Sequence, residues 1–195
     1  MTKSPVEDPM AVPTDTRSEI MDAFAGQLAA GGYTGISLVG VARSVGIRKP
    51  SIYHHFPGGK EELYKEVALR FTARLSTRIE TALAATGGFE RQLGELVAAV
   101  ADQDARSISF EQRVYDTLEL VSEESRSAVS GQYVSAVLDP VVDVFARAVG
   151  RGEIAGEPWF LTNAFFHLAR AVDRSGGDEA AVAVVRLFLD GARPH

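Results

Sequence analysis

The sequence predicts an all-α fold, with a three-helix head at the N-terminal end and a larger helical domain behind it. Three observations carry that expectation. Apolar residues recur at i, i+3, i+4 and i+7 along most of the chain, with no strand-length alternation and no internal repeat. The stretch Ser37–Lys60, SLVGVARSVGIRKPSIYHHFPGGK, divides into two short helices around Gly46. Thr86-Gly87-Gly88, the Gly150–Gly156 segment and Ser175-Gly176-Gly177 then cut the remainder into helix-sized pieces. About nine or ten helices follow.

In order, residues 1–14 carry Pro5, Pro9 and Pro13 among polar residues and read as a flexible tail. Thr16 and Glu19 form a capping box that opens the first helix. Ile20, Ala23, Phe24, Gln27 and Leu28 give that helix a core face, and Gly31-Gly32 close it. Tyr33 is placed under the segment that follows. Ser37 is a good N-cap. Leu38, Val41, Ala42 and Val45 form one stripe, and Gly46 ends the helix in a left-handed conformation. Pro50 suits the first turn of the next helix. Ile47, Ile52 and Phe56 point to the core, which leaves Arg48, Lys49, Ser51, Tyr53, His54 and His55 facing outward.

Past Pro57-Gly58-Gly59 a long helix is expected over 60–84. Glu61 and Glu62 favour its positive end, and Leu63, Val67, Ala68, Phe71, Leu75 and Ile79 form its stripe. Phe89 to about Asp104 is the next helix, Arg106–Ser109 a loop, and Val114, Leu118 and Val121 a shorter helix. The pattern from Glu124 to Val149 contains Pro140, so a kink or break is expected near Leu138. Pro158 opens a helix to about Asp173, and Asp178 can cap a last one to about Gly191.

That last helix reads AAVAVVRLFL from Ala180 to Leu189, with Arg186 its only charge, and Trp159–Val172 is nearly as apolar around its circumference. Ten residues are too few for a membrane span. A helix apolar on all sides must bury a second face. A homodimer in which both helices pair with their copies as a four-helix bundle satisfies that need, through Phe160, Ala164, Leu168, Val172, Ala181, Val185, Phe188 and Leu189. Central packing within one subunit is the alternative.

The charges are unevenly placed. The 195 residues hold 20 basic and 26 acidic side chains, net −6, yet no acidic residue lies between Asp22 and Glu61. Arg43, Arg48, Lys49 and Lys60 fall in that window. An acidic chain with one acid-free segment reserves a face for phosphate. There is no cysteine, which excludes disulfides and thiolate metal sites. With no signal pattern at the start and no membrane-length apolar run, a cytoplasmic location away from the membrane is the expectation. Gly58-Gly59-Lys60 lacks the remainder of a P-loop, and the four histidines, His54, His55, His167 and His195, form no zinc or Ser-His pattern. No cofactor, metal or catalytic residue is expected, though an all-helical enzyme or a ligand-binding dimer without DNA affinity is the competing reading.

From Thr16 to Val67 the sequence resembles the TetR family of bacterial transcriptional regulators. The likeness rests on Gly32-Tyr33, on Ser37 with Val41-Ala42, on Val45-Gly46-Ile47 and above all on Ile52-Tyr53-His54-His55-Phe56-Pro57 running into Lys60-Glu61-Glu62-Leu63. Beyond Val67 only the helix count, the Arg151-Gly152-Glu153-Ile154 turn and the apolar final pair support it. Two departures stand out. Arg48 occupies a position where the family often has a small capping residue, and Gly58-Gly59 is one residue longer than Pro-Ser-Lys, as in one branch of the family.

The resemblance implies a helix-turn-helix DNA-binding domain over 15–59, the motif itself at about 37–56, and an effector-binding and dimerisation domain over 60–195. It implies a homodimer on a palindromic double-stranded operator, most simply a repressor released by a small-molecule effector. The helix from Arg48 to His54 would enter the major groove, where Arg48 and Lys49 would reach guanine edges and Pro50 and Ser51 would touch base edges or a thymine methyl, and Ser37, Tyr53, His55 and Lys60 would hold phosphates. Candidate effector contacts are Tyr115, Tyr133, Trp159, Phe165, Phe166 and His167, with ordinary core or dimer packing as the plainer alternative. Arg113 and Arg170 could meet an anionic ligand, or simply be solvated.

Overall fold

The computed structural model describes residues 15–101, 112–172 and 177–193, and these are helical with no strand. The expected tail, the Arg106–Ser109 loop and the ends at Asp104 and Asp173 lie outside the described residues. Helix α1 spans Thr16–Gly31, α2 Leu38–Val45, α3 Lys49–His55, α4 Gly59–Leu83 and α5 Phe89–Ala101. Helix α6 covers residues 112–117 and tightens into a 3-10 turn, Leu118–Leu120. Helices α7, Glu123–Tyr133, and α8, Asp139–Gly150, follow, then α9, Pro158–Arg170, and α10, Gly177–Gly191.

The helix starts show how local chemistry sets the boundaries. The N-cap of α1 is Asp15, whose carboxylate accepts from the Arg17 amide at 3.1 Å, one residue before the expected Thr16. Ser37 does cap α2, accepting from the Gly40 amide at 3.3 Å, and Gly46 ends it at φ 75°. Arg48 offers no side-chain cap to α3, whose first turn is instead preset by Pro50. Pro140 does not break its helix. It lacks an N–H, and the register slips just before it: Val134–Leu138 form a π turn in which the Asp139 amide reaches back to the Val134 carbonyl. With α7 and α8 thus joined into one rod, the described residues contain nine helical rods.

Two apolar cores organise the molecule. One collects Ile20, Phe24, Leu28, Val41, Ile52, Phe56, Leu63 and Tyr64, together with Val114 of α6, Val129 of α7 and Val121 from the link between them. The other joins Leu75 and Ile79 to α5, α8, α9 and α10 around the rings of Phe145, Phe165 and Phe188. Helix α4 enters both cores, changing from one to the other between Ala68 and Leu75. At 25 residues it runs about 37 Å. A three-helix head alone would bury little apolar surface, and α6 and α7 complete it. Polar contacts clamp α1 onto α4: Arg17 pairs with Glu66 at 3.1 Å and lies over the Phe56 ring, and Arg70 bonds Asp22 and Ser18.

Candidate nucleic-acid interface

The α2-turn-α3 unit is built so that α3 keeps one face in the core and gives the other to solvent. Ile52 and Phe56 are fully buried, whereas Arg48, Lys49, Pro50, Tyr53 and His54 are exposed, with Ser51 and His55 half-buried. Lys49 places its ammonium 5.8 Å from the centre of the Tyr53 ring, and Tyr53 itself is 43% exposed. The His54 and His55 rings meet edge to face at 5.5 Å. A short helix carrying two cations, a phenol and two imidazoles on its free side has donors for both base edges and phosphates.

The neighbouring elements extend that face. The Ser37 hydroxyl accepts the α2 capping bond, which leaves its own proton for an outside acceptor. The Ser37 amide donates to Gln27 Oε1 at 3.0 Å, and Gly40 leaves room for the Gln27 amide group, so α1 fixes the start of α2. Gln27 looks like one more core position by spacing alone, and its role appears only once α1 and α2 are packed. Val39 is a further exposed residue on α2.

The turn into α4 explains the doubled glycine. Gly59 has φ 65°, and a Cβ there would stand 3.1 Å from Tyr53 Cε1, so glycine lets the Tyr53 ring close over the turn. The Gly58 amide donates to Glu62 Oε2 at 2.6 Å. Lys60 holds its Nζ 4.5 Å from the centre of the Tyr33 ring, and partial burial lowers its pKa. The aromatic shelf sets the direction in which that ammonium leaves the protein. Burial, and then the charge of Glu61, raise the pKa of Tyr33.

Glu61, next along α4, reaches the start of α7. Its Oε1 accepts from the Ser122 amide at 3.1 Å, from the Ser122 hydroxyl and from the Ser125 hydroxyl at 2.7 Å. The bonds from Ser122 and then Ser125 hold its carboxyl below the ordinary range. In sequence Glu61 reads only as a helix-start charge, because nothing local signals a partner more than 60 positions on.

The expected effector residues do not line one cavity. Tyr115 and Tyr133 meet edge to face at 5.5 Å and border a crevice with Phe71, Thr72, Val114, Leu118, Val129 and Ser130. Its free volume is about 10 Å³, room for one water. Arg170 donates to the Tyr133 hydroxyl at 2.9 Å and lies against the Phe166 ring, joining those two residues to the same region. Phe165 is instead packed in the core between Phe145 and Phe188, while Trp159 and His167 are on the surface. Arg113 lies over Gly32, near Asp116 at 3.9 Å, rather than in that crevice.

The apolar final pair is likewise only partly on the outside. Phe160 is 67% exposed, Val182 56% and Leu187 61%. Ala164, Leu168, Ala181 and Leu189 are half-buried, but Val172, Val185 and Phe188 are inside the subunit's own core. Helical spacing identifies which residues share a face without saying which face is inward. None of the described helices is long and apolar enough to cross a membrane, and no three His, Asp or Glu residues among those described are grouped to hold a metal.

Residues 20–67 match the bacterial regulatory proteins of the tetR family. Comparison with curated protein sequences gives no match. Among solved structures, the chain is similar to a bacterial regulatory protein in the tetR family from Rhodococcus RHA1, at TM-score 0.79 and 17% identity, over 93% of this chain and 99% of that one. It is similar to the ketosteroid transcriptional regulator KstR2 of Mycobacterium tuberculosis, at TM-score 0.71 and 18% identity, over 93% and 97%. The superantigen PfiT also shares the fold, at TM-score 0.74 and 17% identity, over 92% and 97%. Residues 20–67 therefore carry the N-terminal domain of the tetR family of bacterial regulatory proteins, on an all-helical fold shared with solved regulators of that family.

Proposed function

We propose that the chain is a DNA-binding transcriptional regulator: a homodimer that reads a palindromic operator with α3 and acts as a repressor released by a small molecule. The observation that carries this is the free face of α3, where Arg48, Lys49, Tyr53 and His54 stand together in an acid-free stretch of an otherwise acidic chain. The fold alone would not carry it, since PfiT has the same one. Arg48 and Lys49 read guanine edges, Pro50, Ser51 and His54 lie at the bases, and Ser37, Tyr53, His55 and Lys60 hold phosphates, Lys60 beside the amides of its own helix start. The doubled glycine of the exit turn fits the branch of the family that carries it.

Residues 15–59 serve as the DNA-binding domain and 60–195 as the effector and dimerisation domain. Two outer faces of α9 and α10, paired across a two-fold axis, set the recognition helices about 34 Å apart or a multiple of it. The Tyr115–Tyr133 crevice adjoins the point where α4 passes between cores, so a ligand that opens it would tilt the head and lower DNA affinity by linkage. The test is selection of bound sites from random duplexes, followed by gel shifts in rising salt and in metabolite extracts. A palindromic site, bound less tightly as salt rises, supports the reading. Turnover of a metabolite without any duplex affinity would instead support an enzyme.

A further inference from the structure

The turn from α3 into α4 is held from four directions. Tyr53 closes over Gly59, the Gly58 amide is held by Glu62, and Lys60 rests on Tyr33. All three of these contacts stay within the head and the first turn of α4. The fourth, through Glu61, leaves it and ends on Ser122 and Ser125, the N-cap and first turn of α7. A carboxylate at that position supports the capping of α7 in trans, since it accepts the N-cap amide and two serine hydroxyls at the positive end of a helix to which it does not belong.

A second link nearby has the opposite character. The Tyr64 hydroxyl donates to the Val114 carbonyl at 2.8 Å, with Tyr64 fully buried. A buried bond with no competing water is expensive to open. The two Ser122 bonds to Glu61 are exposed, so water can replace them, only the Ser125 hydroxyl being buried, and Ser122 can keep its own cap on the Ser125 amide at 3.3 Å when Glu61 leaves. One link is therefore a pivot and the other a release.

We propose that Glu61 is a positioning residue for DNA binding: by holding the N-terminus of α7 it fixes the turn that carries Tyr53 and Lys60, and makes DNA affinity depend on where α7 sits. This rests on the regulator reading. With Glu61 released, the turn keeps its contacts within the head but loses its angle to α7, and Lys60 no longer reaches the backbone that α3 is reading. By reciprocity, DNA that holds the turn in place must also steady the first turn of α7.

The test uses the full chain and the duplex it selects. Glu61→Ala should weaken binding by roughly tenfold, within the range of ordinary coupling energies, Ser125→Ala by less because both Ser122 bonds to the carboxylate remain, and the double variant should lose no more than Glu61→Ala alone. Glu61→Gln, which keeps an acceptor, should fall between wild type and Glu61→Ala. Wild-type amides at Ser125 and Arg126 should exchange more slowly once duplex is bound, and in Glu61→Ala they should not respond. Wild-type affinity in Glu61→Ala, or losses that simply add, would overturn the proposal, as would a lowered melting temperature with DNA affinity intact. A wild-type chain that selects no duplex would bring down the regulator reading first, and this with it.

Discussion

Tyr64 on α4 donates its phenolic hydroxyl to the carbonyl oxygen of Val114 on α6 at 2.8 Å, joining residues 50 positions apart inside the head's core. Burial, with the nearby Tyr33 ring, pushes the phenol's pKa well up, so the group stays a donor throughout the working pH range. Tyr64→Phe keeps the ring and removes a buried hydrogen bond to a carbonyl that lies within helix α6. The expected loss is about 0.5–1.5 kcal/mol. Urea denaturation should show a lower midpoint at unchanged slope, the sign of lost stability rather than altered compactness.

That bond also shows where sequence stops short. The head's helices are legible because each boundary is local: Ser37, Gly46 and Pro50 act on their own turns, and Ile52 and Phe56 sit four apart. The extent of the head is not. Tyr64 lies beside Leu63 in a run that looks amphipathic without it, and nothing near Val114, Val121 or Val129 says that they complete a core begun at Ile20. Pairings across 50 or 60 residues are set by tertiary packing, so Glu61 and Tyr64 are invisible until the chain is folded. The same limit explains why Val185 and Phe188 share the expected dimer stripe yet face inward.

Arg48 and Lys60 should fail in different ways when removed. Arg48→Ala is expected to cost roughly 1–3 kcal/mol of DNA affinity and to relax preference at one base position. Lys60→Ala should weaken all sequences alike and reduce the salt slope by about one, because a phosphate contact releases a counterion and reads no base. Titration of matched and mismatched duplexes at several salt concentrations separates the two. Equal weakening on every sequence by Arg48→Ala would reassign Arg48 to the phosphates.

Acid should loosen the α4–α7 contact. The folded pKa of Glu61 lies below its ordinary value of 4.5, first because of the Ser122 hydroxyl and then that of Ser125. The unfolded chain therefore takes up the proton first. Stability from this group is complete above its ordinary value and is lost as pH falls through the folded one. Melting temperatures measured from about pH 6 down into the acid range should drop more steeply for wild type than for Glu61→Gln, which has no proton to gain. Parallel curves would mean that the hydrogen bonds to Glu61 do not persist in solution.

The proposed dimer can be tested by placing the same charge on the outer and the inner side of one helix pair. Phe160 and Leu187 are 67% and 61% exposed, whereas Phe188 beside Leu187 is 5% exposed and packs on Phe145 and Phe165. Phe160→Glu and Leu187→Glu should leave each subunit folded but place unpaired carboxylates in the apolar contact, where desolvation is costly. Sedimentation should then show monomers, with a far-ultraviolet spectrum like wild type and sharply weakened binding to a palindrome. Phe188→Glu should unfold the subunit itself, since the charge enters its core. If Phe160→Glu and Leu187→Glu still sediment as dimers, some other face makes the contact, and the spacing of the two recognition helices must be derived from that face instead.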